Sequence, residues 1–234
     1  MTGRRVAFLR HGPLEVPGVL GSRAGELGFD IREFRADCVG DPLPTPEEFA
    51  GIVVMGSIES VNDTALEWVA RERALIATAI DRNVPVFGVC FGGQILAQAL
   101  GGRVTTSPEP EVGWRSIRTD DPSLVPEGPW LLWHEDAVVP PPGAVVVART
   151  DVAVQAYVKG PHIGVQFHPE VTPGVIASWI NEAQERGDVT SAQRRALWDD
   201  VERLATVSAR NARRLFDGFL RQAGLLGPQP DRAR

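Results

Sequence analysis

Two residues of this 234-residue chain could make and break a covalent bond together: the sulfur of Cys90 and the imidazole of His168. Cys90 stands in Val84-Pro85-Val86-Phe87-Gly88-Val89-Cys90-Phe91-Gly92-Gly93-Gln94, and the helix-favouring stretch Ile95-Leu96-Ala97-Gln98-Ala99-Leu100 follows. An apolar run, a cysteine, glycines and then a helix former predict a strand, a sharp turn and a helix beginning just behind the sulfur. Glycines on both sides of Cys90 remove bulk that so tight a turn cannot hold. An inert core cysteine has no such need. The unpaired N–H groups at a helix N-terminus attract negative charge and favour thiolate over thiol.

A thiolate that attacks a carbonyl carbon needs a proton donor for the leaving group, and histidine titrates in the right range. The chain has four histidines: His11, His134, His162 and His168. His162, beside Pro161, reads as an exposed turn residue without a task. His11 follows the first apolar run and could line a site, but nothing near it in sequence orients it. His168 differs, because Glu170 lies two residues on and Pro169 restricts the backbone between them. A carboxylate on one ring nitrogen fixes the tautomer offered to the sulfur and supports the imidazolium. The expected catalytic set is Cys90, His168 and Glu170.

The elements that must carry these groups follow from the apolar pattern. Val6–Leu9 suits a buried parallel strand, Leu20–Leu27 a helix closed by Gly28, and Ile31–Phe34 a second strand. The prolines between Asp41 and Pro46 mark a loop, and Ile52–Met55 a third strand ending at Gly56-Ser57. Thr64 and Glu67 have capping-box spacing before a helix marked by Leu66, Val69, Ile76 and Ile80 and closed by Asn83. The order β-α-β-loop-β-α-β-α argues a mostly parallel sheet between helices. Beyond Gly102, short apolar runs between Pro- and Gly-rich turns, and alternation through Ile163–Phe167, predict an antiparallel addition. From about Ser191 a helical stripe of Trp198, Val201, Leu204, Ala205, Ala212, Leu215, Phe216 and Phe219 predicts an amphipathic helix. Its arginines read as a solvated face, and Gly224–Arg234 as a frayed tail. The expected division is 1–185 as one domain and 186–234 as a C-terminal helical extension packing on it.

Composition narrows the function. A formal net charge of −6 argues against general nucleic-acid binding. Cys38 and Cys90 form no disulfide framework, and a reactive thiol fits a reducing compartment. The apolar run behind Met1 is too short for a signal-peptide core and no stretch approaches membrane-spanning length, so a cytoplasmic protein without membrane attachment is expected. The histidines are scattered, so no metal site is expected, and no organic cofactor is implied. Lys159 is followed by Gly160 rather than by the serine or threonine of a phosphate-binding loop.

Gly88-Val89-Cys90-Phe91-Gly92-Gly93-Gln94 together with His168-Pro169-Glu170 resembles the class I (triad-type) glutamine amidotransferase family, and among its stand-alone members those related to the amidotransferase domain of GMP synthase. Val53–Ser57 with Ser60–Asp63 resembles the family's oxyanion-strand loop. Glu111–Trp114 and Trp133–Asp136 resemble two further family segments. The resemblance runs from about Arg4 to Ile180. It implies a three-layer, flavodoxin-like α/β fold and hydrolysis of L-glutamine through a γ-glutamyl thioester on Cys90, with His168 as acid and base and Glu170 orienting it. It also implies an oxyanion hole from the N–H groups of Ser57 and Phe91, and substrate contacts from Gly56, Gln94, Trp133, His134, Glu135 and Asp136. Ammonia would pass to a separate synthetase or be released. The chain departs from the family pattern at Ser57-Ile58, where Gly-Pro is common, and at Glu135, where glycine is common. Those departures raise a γ-glutamyl amide or peptide as an alternative substrate. The unmatched C-terminal helices raise a partner-dependent regulatory subunit with a dormant site.

Overall fold

Apolar runs buried on both faces need a helix layer on each side, and the computed structural model, which describes residues 4–227, has that arrangement. Strands β1 (Arg5–Arg10), β2 (Asp30–Arg35), β3 (Gly51–Val54), β4 (Val86–Val89) and, much later in the chain, β10 (His162–Val165) lie parallel. β6 (Arg118–Thr119), β8 (Val145–Arg149) and β9 (Val154–Lys159) extend the sheet antiparallel, giving the order β2-β1-β3-β4-β10-β9-β8-β6. The long strands β5 (Arg103–Arg115) and β7 (Trp130–Val139) pair separately as an antiparallel two-stranded sheet.

Alternation along the central strands separates two cores. Val6, Phe8, Val53, Met55, Phe87 and Val89 face one layer, formed by α1 (Gly18–Glu26) and the C-terminal half of α5 (Ser191–Gln222). Ala7, Leu9, Ile52, Val54 and Val86 face the other, formed by α2 (Glu67–Asp81) and α3 (Phe91–Ala99). The first half of α5 packs instead on α4 (Pro173–Arg186), around Leu131, Ile176, Ile180, Leu197 and Val201. The stripe expected on α5 therefore serves two cores: Ala212, Leu215, Phe216 and Phe219 are fully buried beneath the sheet. Its arginines are partly tied down, Arg213 to Glu26 and Arg221 to Asp217, while Arg23 of α1 reaches Asp217 at 2.8 Å. Of the expected tail, residues 228–234 lie outside the described residues.

Two local expectations are corrected. α2 starts at Glu67 with Leu66 as its N-cap and no side-chain cap, so the Thr64–Glu67 capping box does not form. Asp63 instead accepts from the Ala65 N–H at 2.9 Å and holds a turn just ahead of the helix. His162 is not exposed: it is buried on β10, paired across the hairpin with Lys159, and its Nδ1 accepts the Val86 N–H at 3.2 Å. Burial, with the charge of Lys159, pulls its pKa down to about 4.

Candidate active site

The carboxyl ends of the parallel strands supply the site. β4 ends at Val89, and Cys90 takes φ 50° and ψ −109° before α3 begins. A non-glycine residue held there stores about 1–3 kcal/mol, so its surroundings must enforce the turn. They do so through hydrogen bonds from the Cys90 N–H to the Val165 carbonyl at 2.8 Å and from the Gln94 N–H to the Cys90 carbonyl at 2.9 Å. The glycines admit the close approach. A Cβ on Gly92 would stand 2.0 Å from the Val54 carbonyl oxygen, and one on Gly88 would stand 2.3 Å from that of Gly92.

β10 leads through Gln166 and Phe167 to His168, whose N–H donates to the Leu131 carbonyl of β7 at 2.8 Å. The His168 Nδ1 lies 2.8 Å from Glu170 Oε1, and both side chains are buried. Cys90 and His168 meet over Gly56 at the end of β3: a methyl placed there would lie 3.1 Å from His168 Cε1 and 3.8 Å from Cys90 Cβ. Burial alone would lower the His168 pKa. The Glu170 carboxylate, with the neighbouring Cys90, outweighs it and holds the imidazole well above its ordinary value. A carboxylate-held imidazole beside a thiol can take a proton and later hand it to a leaving group.

Gly56 and Ser57 form the loop facing this pair. Neither takes a positive φ, so serine is accommodated there without backbone strain. Its hydroxyl accepts the Glu59 N–H at 3.1 Å. Among the described residues, neither the Ser57 N–H nor the Phe91 N–H, the latter opening α3, has a protein acceptor. Gln94 is buried and donates to Gln166 Oε1 at 3.2 Å, and Gln166 in turn reaches Cys90 Sγ at 3.5 Å. The Trp133 carbonyl lies 3.9 Å from that sulfur. Asp136 accepts from Ser60 Oγ at 2.7 Å and so joins β7 to the Ser57–Ser60 loop. Glu135 is exposed. The His134 ring is buried, with Nε2 at 3.2 Å from Glu111 Oε2 and Nδ1 at 3.0 Å from the Asp136 carbonyl oxygen.

Two cavities open on Cys90. One, of about 530 Å³, is polar and runs along Ser57, Gln94, Trp133, Glu135 and Asp136. The other, of about 70 Å³, lies toward Ile58, Trp133, Trp179, Glu182 and Glu15. Gln94, Trp133, His134, Glu135 and Asp136 thus border the larger cavity with Cys90, and Gly56 the smaller one, while the His134 ring turns into the Glu111 pair.

Several neighbours escaped the sequence reading. α4 overhangs the site with Trp179, whose ring meets His168 edge-on at 4.9 Å, and with Glu182 and Arg186. Gln166 was detectable in principle, since residues two apart on a strand share a face and His168 follows at that interval. His11, expected to have nothing to orient it, is held by Glu72 of α2.

The model of the family described as glutamine amidotransferase class-I matches residues 20–182. The chain belongs to that family. The glutamine-hydrolysing GMP synthase of Aeropyrum pernix is 38% identical over 181 residues, covering 68% of this chain but 34% of the synthase. The chain therefore spans about a third of the length of that curated relative. Among solved structures, a glutamine amidotransferase of Methylobacillus flagellatus superposes with a TM-score of 0.86 at 29% identity, covering 99% of each chain. One from Thermotoga maritima superposes at 0.82 and 25% identity, covering 94% of this chain and 98% of the other. Both neighbours match through the C-terminal helices as well as the family segment. Among the described residues no helix is long and apolar enough to cross a membrane, and no group of three or more His, Cys, Asp or Glu could hold a metal ion.

Proposed function

We propose that this chain hydrolyses the side-chain amide of L-glutamine through a γ-glutamyl thioester on Cys90. The sulfur adds to the amide carbon, and the negative charge that develops on oxygen is met by the N–H groups of Ser57 and Phe91. His168 gives its proton to the nitrogen, the C–N bond breaks and ammonia leaves. Water then loses a proton to His168 and adds to the thioester, releasing glutamate and restoring the sulfur. Glu170 holds the imidazole throughout and stabilises its cationic form. Gly56, Gln94, Glu135, Asp136 and the backbone from Trp133 to Asp136 bind the amino-acid part of the substrate in the polar cavity. The observation that carries this reading is the meeting of Cys90 with the His168–Glu170 pair over Gly56.

The ammonia released at Cys90 passes to a synthetase active site or leaves as product. That part of the proposal draws on the relatives named as glutamine-hydrolysing GMP synthases, of which this chain covers about a third. A second reading keeps the acyl half and enlarges the leaving group to an amine or amino acid. The departures from the family pattern at Ser57-Ile58 and Glu135 raise it, since both border the cavity at Cys90. Steady-state kinetics on glutamine and a panel of γ-glutamyl amides separate the two readings. We expect ammonia and glutamate from glutamine, abolished in Cys90→Ser. A kcat/KM at least tenfold higher for a γ-glutamyl amide would move the assignment to the second reading.

A further inference from the structure

Behind the catalytic loop lies a buried ion-pairing couple that the mechanism above does not use. His11, just past the end of β1, and Glu72, on α2, are both completely shielded from solvent. The His11 Nδ1 lies 2.7 Å from the Gly56 carbonyl oxygen, and its Nε2 lies 3.0 and 2.9 Å from the two Glu72 carboxylate oxygens. The ring stacks on Trp68 at 5.1 Å and meets Phe91 at 4.8 Å, and those two rings touch each other at 5.3 Å. A carbonyl oxygen only accepts, so Nδ1 must carry a hydrogen. The Nε2–Glu72 contact likewise holds a proton, on one partner or the other. The couple therefore always presents an N–H to Gly56.

That carbonyl belongs to the same peptide group as the Ser57 N–H. In a trans peptide the C=O and N–H point in opposite directions, and the only cis bond among the described residues is at Pro129. His11 lines neither cavity at Cys90, whereas Ser57 lines both. Fixing the carbonyl toward His11 therefore fixes the N–H toward the cavity side. A strong donor on the oxygen also polarises the peptide and makes its N–H a better donor in turn. The second expected donor, Phe91, is steadied by the same ring.

We propose that His11 and Glu72 are positioning residues for oxyanion stabilisation: they lock the Gly56–Ser57 peptide with its N–H facing the substrate carbonyl. The proposal rests on the reading of the Ser57 N–H as an oxyanion donor. A buried ion pair is costly to desolvate and a packed apolar pair of similar size is often as stable or more so, so stability alone does not account for this one.

The test compares two reactions of Cys90 in the full chain. Acylation by p-nitrophenyl acetate passes through an oxyanion, whereas alkylation by iodoacetamide displaces iodide from saturated carbon and does not. In the His11→Leu/Glu72→Leu double variant we expect acylation to fall at least about tenfold, and by no more than the roughly 10²–10³ that removing an oxyanion donor outright costs. Alkylation should stay within about twofold, and glutamine kcat should fall with KM little changed. His11→Asn/Glu72→Gln, which keeps an N–H for Gly56 and an uncharged partner, should recover most of the acylation rate. If the apolar pair does not fold, His11→Met/Glu72→Gln takes its place. Acylation at the wild-type rate in the donor-less variant, or equal losses in both reactions, would overturn the proposal. A wild-type chain that is acylated but inert toward glutamine would sink the substrate assignment alone.

Discussion

At the scale of single residues, the site is a contest between burial and charge. His168 is shielded from water, which disfavours the imidazolium, yet Glu170 at 2.8 Å and the neighbouring Cys90 reverse the balance. Glu170→Gln removes the largest opposing charge while leaving shape and a hydrogen-bonding partner. The His168 pKa must then fall, because the charge that did most to raise it is gone. In the kcat/KM profile, the alkaline limb that reports loss of the imidazolium moves to lower pH, and the rate at neutral pH drops by roughly 10² or more with KM little affected. Direct titration of the His168 ring by NMR in both proteins checks the direction. An unmoved or raised pKa would contradict the role given to Glu170.

At the scale of elements, the strand–turn–helix around Cys90 was legible because its constraint is local: glycines at fixed offsets from one cysteine are readable from the chain alone. β1, β3 and β4 were legible for a similar reason, as short apolar runs with breakers on both sides. β5 was not. Its segment from Arg103 to Arg115 carries Pro108, Glu109, Pro110 and Glu111, and the register against β7 breaks between Thr106 and Glu111. Such a strand is specified by its partner and not by its own periodicity. The same holds for His11 and Glu72, which sit 61 positions apart. His162 was misread because Lys159-Gly160-Pro161 is a turn and the histidine opens the strand immediately after it. Its burial as a neutral acceptor has a measurable consequence. The unfolded chain binds a proton at this residue near pH 6.5, and the folded chain only near 4. Stability contributed at neutral pH is therefore lost as the pH falls from about 6.5 to 4. His162→Asn, which keeps an acceptor for Val86, should lose less stability than wild type across that window in urea melts. An equal or steeper loss would count against the assignment.

At the scale of the whole molecule, the catalytic edge and the C-terminal helix are coupled through β4. Phe87 lies three residues before Cys90 and packs on Phe219 at 5.2 Å and Phe216 at 6.0 Å. α5 therefore completes the layer beneath the strand that presents the sulfur. Phe219→Ala should cost about 3–5 kcal/mol of unfolding free energy, the range for truncating a fully buried aromatic, read from the urea midpoint at unchanged slope. A loss below about 1 kcal/mol would mean that this half of the helix is peripheral to the fold. The expected boundary at residue 185 remains a proposal about folding units, and the same measurement on a chain ending there addresses it.

The most direct test of the account is capture of the acyl-enzyme. With His168 replaced by Ala the sulfur loses its proton partner and the thioester its water-activating base, so deacylation becomes the slower step for an activated γ-glutamyl ester. After acid quenching, mass spectrometry should find one γ-glutamyl group per chain, on the peptide containing Cys90. A wild-type chain that releases glutamate, with a His168→Ala chain that carries no adduct on Cys90 or carries it on Cys38, would contradict it.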